Sequence, residues 1–171
     1  HPLTLRVPGL HDVSMHYDSH GRLDHLAQGS RSWDYGYDAL GQLTSVTNQL
    51  NDATLYDAHD GAGRVKSLRL PGQRQVRFGY DAVGNLDSLT TPNNTTHTFS
   101  YTPTNLNETY SPPIVDGAPN PSTSYEYEPD HLLKKVTRPD GGIVDLTYNG
   151  TSAQLTRAEF PSAGSSTPRW Q

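Results

Sequence analysis

Four histidines lie close together near the N-terminal end, at His11, His16, His20 and His25. Imidazole nitrogens at such short spacing are candidate ligands for a transition metal such as zinc. A hairpin in this region would bring His16 and His25 into the same neighbourhood. A stable site also needs groups that hold its ligands in place, and the spacing alone provides no carboxylate partner. We therefore predict no metal site and no cofactor, and we interpret these histidines as polar surface residues.

Four aspartates recur at intervals of about twenty residues, each three positions before a glycine: Asp18, Asp38, Asp60 and Asp81. Such carboxylates are candidates for catalytic acids or for calcium ligands. Calcium-binding β-rolls, however, carry denser glycine and aspartate runs at a shorter period. A single aspartate beside a turn glycine is typical of a capped turn, so we predict a structural role.

The glycine and serine patterns of familiar enzyme classes are missing from the sequence. It contains no Gly-x-Ser-x-Gly elbow for a nucleophilic serine, and Gly61-Ala62-Gly63 has no third glycine to bind a dinucleotide. The absence of cysteine excludes thiol nucleophiles and disulfides. We predict that the chain is not an enzyme.

Aromatic residues are the remaining candidates for ligand binding. Trp33, Tyr35 and Tyr125 are candidates to stack on sugar rings, which would make the chain a carbohydrate-binding module. The competing interpretation is that aromatics on one face of a sheet pack against the neighbouring hairpin.

Charge and hydropathy exclude two further classes. A formal net charge of −5 provides no basic surface for a phosphate backbone, so we predict no nucleic-acid partner. No apolar run approaches the length of about 18 residues that a membrane helix needs, so we predict no membrane span.

An internal repeat determines the elements that position all these residues. Its pattern is Tyr-Asp-x-x-Gly-x-Leu, followed three positions later by Leu or Val. Clear copies begin at Tyr17, Tyr37 and Tyr80, a variant begins at His59, and weaker copies begin at Tyr101, Tyr127 and Tyr148. The residues predicted to anchor the repeats are Tyr17, Asp18, Gly21, Leu23, Tyr37, Asp38, Gly41, Leu43, Asp60, Gly63, Tyr80, Asp81, Gly84, Leu86, Tyr127 and Tyr148.

Each copy has the pattern of a β-hairpin. Apolar residues alternate before the anchor, as at Val13, Met15 and Tyr17, which predicts a strand. The aspartate and glycine then predict a turn, because aspartate accepts hydrogen bonds from turn amides and glycine tolerates positive φ. The three-residue spacing of the following aliphatic residues leaves two alternatives open: apolar groups on both faces, or a bulge between them.

Consecutive hairpins predict an all-β fold. About seven hairpins give about 14 strands, and open twisted sheets of more than about 10 strands usually curl. We therefore predict a curved sheet, in the form of an arc or coil. The hairpin array is predicted to span residues 1–158, with a proline-rich inserted loop at 111–124 and a flexible Ser/Pro-rich tail at 159–171.

The repeat resembles the YD repeat of the Rhs (rearrangement hotspot) family, which also covers the B and C subunits of Tc toxins and the shell of teneurins. The resemblance covers residues from about 11 to 158. It implies a β-spiral that winds into a hollow shell, which encloses a C-terminal toxic domain in the toxins and supports adhesion in teneurins. The sequence has no Asp-Pro dipeptide, so the self-cleavage motif of Rhs proteins is not carried over.

The resemblance implies a non-catalytic shell segment that encapsulates or scaffolds a toxin or effector domain. Its expected partners are the remainder of a larger YD-repeat protein or the enclosed C-terminal effector, in a secreted or cell-surface setting. Open strand edges predict self-association of the isolated piece. The alternative function is a cell-surface carbohydrate-binding or adhesion module.

Overall fold

The computed structural model describes residues 3–114 and 122–160, and within these ranges every regular element is a β-strand. These strands are Leu3–Leu5 (β1), Val13–Tyr17 (β2), Leu23–Gln28 (β3), Arg31–Tyr37 (β4), Leu43–Asn48 (β5), Ala53–His59 (β6), Val65–Leu70 (β7), Arg74–Tyr80 (β8), Leu86–Thr90 (β9), Thr96–Tyr101 (β10), Asn107–Ser111 (β11), Thr123–Tyr127 (β12), Leu133–Thr137 (β13), Ile143–Tyr148 (β14) and Leu155–Glu159 (β15).

The chain divides into two compact units, His1–Phe78 and Gly79–Gln171. In the first unit β1 to β7 and residues 74–78 of β8 pair in chain order, and in the second β9 to β15 do the same. All of these pairings are antiparallel, as between β4 and β5 or between β12 and β13. The predicted all-β fold of consecutive hairpins is confirmed.

The hairpin turns follow one hydrogen-bond pattern. In the turn between β4 and β5, the Asp38 amide donates to the Gln42 carbonyl at 3.0 Å, and the Gly41 amide donates to the Asp38 carbonyl at 3.1 Å. Gly41 has a φ of 84°, which glycine adopts without steric cost. In the weaker copies Asn105 and His131 hold the same place with φ of 61° and 69°. The turn therefore persists where the sequence pattern fades.

A β-bulge lies beside the anchor residue of six repeats. Tyr37 pairs with Leu43 whereas Gly36 pairs with Ser45, so Thr44 is an extra residue on the return strand. The same register shift occurs before Tyr17, His59, Tyr101, Tyr127 and Tyr148.

The bulge decides which face the aliphatic residues occupy. Tyr37 pairs with Leu43, and Tyr35, two positions earlier on the same face, pairs with Val46. Directly paired residues share a face, so Leu43 and Val46 lie together although they are three residues apart. Of the two alternatives left open by the sequence, the structure has the bulge.

The described residues contain no buried hydrophobic side chain. Apolar residues on the face that carries the anchors, such as Tyr35 and Val46, are only half-buried. Some turn residues are largely exposed to solvent, and Leu40 for example is 84% exposed. Packing among cross-strand neighbours, rather than an interior core, holds these strands together.

The boundaries of the predicted segments shift by a few residues. Ser111 ends β11, and Thr123 and Ser124 begin β12, so these three positions of the predicted 111–124 loop are in strands. Residues 115–121 of that loop lie outside the described residues, as do residues 161–171 of the predicted tail. Glu159 of the predicted tail ends β15. The short strand β1, which the repeat pattern did not predict, pairs with β2.

Candidate functional site

The turn aspartates bind the backbone of their own turns. Asp18 Oδ1 accepts hydrogen bonds from the amides of His20 at 2.8 Å and Arg22 at 3.0 Å. Its Oδ2 accepts the Arg22 Nε at 2.8 Å. Asp60 repeats this arrangement with Ala62 and Arg64.

These contacts lower the pKa of the carboxyls of Asp18, Asp60 and Asp81. The hydrogen bond from the Arg22 amide, together with the Arg22 guanidinium, lowers the pKa of Asp18 from 3.8 to about 2. Burial acts in the opposite direction, because it raises the pKa. The Arg64 amide and guanidinium lower the pKa of Asp60 in the same way, again against burial. At Asp81 burial is the largest influence and raises the pKa, but hydrogen bonds from Asn85 and nearby amides outweigh it, so that the pKa is lowered.

The remaining anchor aspartate, Asp38, accepts the amides of Leu40 and Gln42 at 2.9 and 2.8 Å. Asn48 caps the turn that begins there with the same two contacts, through an amide oxygen instead of a carboxylate. A neutral oxygen therefore suffices for the cap. This geometry supports a structural role for the anchor aspartates rather than acid–base catalysis.

We expect the free energy of unfolding to fall as the pH drops from about 5 to about 2. The pKa of Asp18 is lower in the folded chain than in the unfolded one, so its stabilisation is complete above pH of about 5 and is lost as the pH falls towards about 2. Asp60 and Asp81 act in the same direction. Urea denaturation at several pH values measures the slope.

The matched variant is Asp18→Asn with Asp60→Asn, which copies the natural cap at Asn48. It should fold and show a shallower loss of stability in acid than the parent. An identical slope in the two proteins would contradict the assignment.

Tyrosine hydroxyls connect several of the repeats to the repeat before them. The Tyr37 hydroxyl donates to the carbonyl of Leu23 at 2.8 Å. Tyr101, Tyr127 and Tyr148 donate in the same way to Leu86, Asn107 and Leu133, at 2.8 to 2.9 Å. Every acceptor lies six positions after the anchor of the preceding repeat, which makes this contact part of the repeat itself. Among the described residues, the hydroxyl of Tyr17 in the first copy bonds only within its own strand, to Met15 Sδ.

In the first unit, an arginine five positions after the anchor makes a second contact between consecutive repeats. The Arg22 guanidinium lies 4.6 Å from the centre of the Tyr37 ring while it also pairs with Asp18. This is a cation–π contact between consecutive repeats. Sequence reasoning missed it, although the recurrence of arginine at this position, in Arg22 and Arg64, was a signal.

The histidines predicted to be plain surface residues have carboxylate partners. His16 Nδ1 lies 2.5 Å from Asp24 Oδ1, and His25 Nδ1 lies 2.6 Å from Asp34 Oδ1. His11 and His20 do not belong to these two His–Asp contacts. His11 precedes β2, and His20 lies in the turn between β2 and β3. In residues 3–114 and 122–160, no group of three or more His, Asp or Glu side chains is arranged around a metal position.

The aromatic residues predicted to bind sugars lie on the apolar face of their own units. Trp33 pairs with Leu26 on one side and with Asn48 on the other. Tyr35 pairs with Val46, and Tyr125, in the second unit, pairs with Val136. All three rings are half-buried between these neighbours. Carbohydrate binding stays a prediction.

Comparison with protein families identifies the fold family. The teneurin YD-shell model matches residues 1–149. The chain belongs to the teneurin YD-shell family. This match confirms the resemblance to YD-repeat and Rhs shells that the Tyr-Asp-x-x-Gly-x-Leu copies indicated. This family is a structural shell fold.

Solved structures share the fold of this YD-shell chain. A TcdB2-TccC3 crystal structure matches 95% of this chain at 12% identity, with a TM-score of 0.62. The TcdB2-TccC3-TEV structure matches 92% at 12% identity, with a TM-score of 0.63. The Tc holotoxin pore of Photorhabdus luminescens matches 94% at 12% identity, with a TM-score of 0.62.

This chain spans only 10 to 11% of the length of those structures' chains. The comparison with curated proteins found no match. Among the described residues of this YD-shell chain, no helix has the length and apolar character required to cross a membrane.

Proposed function

We propose that this chain is a non-catalytic wall segment of a larger YD-repeat shell that encapsulates or scaffolds a toxin or effector domain. One observation carries the proposal: hairpins joined in series by tyrosine hydroxyls, in a sheet whose described residues bury no hydrophobic side chain. A compact enzyme or binding domain of this size normally has an interior core. A segment of a shell wall needs only the two faces of a sheet and stable contacts between neighbouring hairpins.

The exposed outer strands β1 and β15 are consistent with the proposed shell wall. Within residues 3–114 and 122–160, β1 pairs only with β2 and β15 pairs only with β14. All three residues of β1 are exposed, as is Leu155 in β15. Exposed edges with apolar side chains pair readily with further strands. Further repeats of the same protein are the proposed partners, and self-association is the expected behaviour of the isolated piece.

The setting of the relatives supports a secreted or cell-surface location. One of the matched structures is a Tc holotoxin pore, and the family takes its name from the teneurin shell. Delivery of a toxin or effector is accordingly the proposed context. The carbohydrate-binding alternative has no structural observation in its favour, because Trp33, Tyr35 and Tyr125 pack among their own neighbours.

The test is protease protection in the complete protein that contains this segment. We expect the reading frame to contain many further YD repeats and the enclosed polypeptide to be cleaved slowly. Replacing Tyr37, Tyr101, Tyr127 and Tyr148 by phenylalanine in this segment should speed that cleavage at least about tenfold, since it loosens the wall.

Tyr17→Phe is the matched control, because its hydroxyl reaches no other repeat. A reading frame without further repeats would overturn the proposal. So would an interior segment cleaved at the same rate in the parent and in the variant with four substitutions.

A further inference from the structure

Two histidines face each other on the polar face of the first unit. His16 in β2 pairs directly with His25 in β3. Residues in this relation have Cβ atoms about 4.5–5.5 Å apart and share a face of the sheet. The side chains of His16 and His25 are 55% and 42% exposed, so solvent and ions reach both rings.

Each ring is oriented by a carboxylate through the same nitrogen. Asp24, the extra residue of the bulge, contacts Nδ1 of His16, and Asp34, across from His25 on β4, contacts Nδ1 of His25. A proton held on Nδ1 leaves the lone pair of Nε2 available. Neither Nε2 has a hydrogen-bond partner in the part of the chain that the structure describes. Metal-binding histidines in proteins have this same arrangement, with a carboxylate on the non-ligating nitrogen.

The repeat itself shows that this pair is unusual. In two later repeats the equivalent cross-strand position holds Ser100 and Thr109, whose hydroxyls lie 2.8 Å apart, and Glu126 and Lys135, an ion pair at 3.4 Å. Those pairs are complementary. Two histidines are not, because both rings then present an Nε2 lone pair and neither presents a donor. A shared cation between the two neutral rings would make the pair complementary.

We propose that His16 and His25 bind one divalent transition metal ion through their Nε2 atoms, with Asp24 and Asp34 holding the rings in place. Water completes the coordination, since the described residues offer no cluster of three or more protein ligands. Imidazole ligands favour Cu²⁺, Ni²⁺ and Zn²⁺ over Mn²⁺ or Mg²⁺. The site binds metal with modest affinity and clamps β2 to β3 in the first repeat.

Calorimetric titration of the whole chain with Zn²⁺ and with Ni²⁺ tests the proposal. We expect one ion per chain, and a melting temperature raised by about 3–6 °C at about ten times the dissociation constant. The control variant, His16→Ser with His25→Thr, copies the Ser100 and Thr109 pair that the fold already accommodates. It keeps the other six histidines and should bind at least about tenfold more weakly. Equal binding by the parent and this variant would overturn the proposal.

Two further measurements separate the site from unspecific binding. Asp24→Asn with Asp34→Asn should weaken Zn²⁺ affinity by about 10–100-fold and leave the stoichiometry at one. In the parent, Zn²⁺ should shift the Hε1 resonances of His16 and His25 before those of any other histidine. If these two resonances stay unchanged at saturating Zn²⁺, the metal binds elsewhere and the proposal is wrong.

Discussion

Removing four tyrosine hydroxyls that connect successive repeats is expected to lower the free energy of unfolding by about 2–6 kcal/mol. The variant replaces Tyr37, Tyr101, Tyr127 and Tyr148 by phenylalanine. Each hydroxyl donates to a backbone carbonyl at 2.8 to 2.9 Å, and such a bond contributes about 0.5–1.5 kcal/mol. The four bonds share no donor and no acceptor atom, so we expect their losses to add to a first approximation. Domains are stable by only about 5–15 kcal/mol in total, so the loss is severe.

Urea denaturation followed by circular dichroism measures the effect. Tyr17→Phe is the internal control, because the Tyr17 hydroxyl reaches only Met15 Sδ of its own strand. That substitution should change stability by less than about 0.5 kcal/mol. Phenylalanine keeps each ring, so the Arg22 contact with the ring at position 37 is preserved. Equal stability of the parent and the quadruple variant would show that the hydroxyls do not join the repeats.

The local part of this fold could be predicted because its signals are local. Alternation of apolar residues over five or six positions identifies a strand, and the four residues from aspartate to glycine identify a turn. Both signals depend only on nearby residues, which is why the all-β hairpin array was predictable. The weak copy at Tyr127 shows the limit of this approach, since His131 takes the positive φ for which the pattern demands glycine.

The cross-strand features could not be predicted because they depend on register. Asp24 and Asp34 reach the two histidines only because a bulge follows Leu23 and a tight turn joins β3 to β4. A shift of one residue would move either carboxylate to the other face. The same reasoning applies to the tyrosine hydroxyls, whose acceptors lie 14 to 20 residues earlier in the chain. Which residues meet across neighbouring strands depends on how the strands pair. The spacing of residue types along the sequence does not specify that pairing.

The second large effect is expected at the turn glycines. Gly63 has a φ of 80°, and Gly63→Val should lower the free energy of unfolding by about 1–3 kcal/mol, because a β-branched residue resists this conformation. The turn must keep its shape, since the Gly63 amide donates to the Asp60 carbonyl at 2.9 Å. Gly84, with a φ of 103°, should respond in the same way.

The same turn provides a matched control at Gly61. This glycine does not have a positive φ, and a Cβ placed on it would meet nothing within 4 Å. Gly61→Val should therefore cost less than about 0.5 kcal/mol. Gly63→Asn should lie between the two valine variants, because Asn105 adopts a φ of 61° in the equivalent position of a later repeat. Thermal or urea melts that rank the three variants differently would mean that left-handed backbone geometry does not hold these hairpins in register.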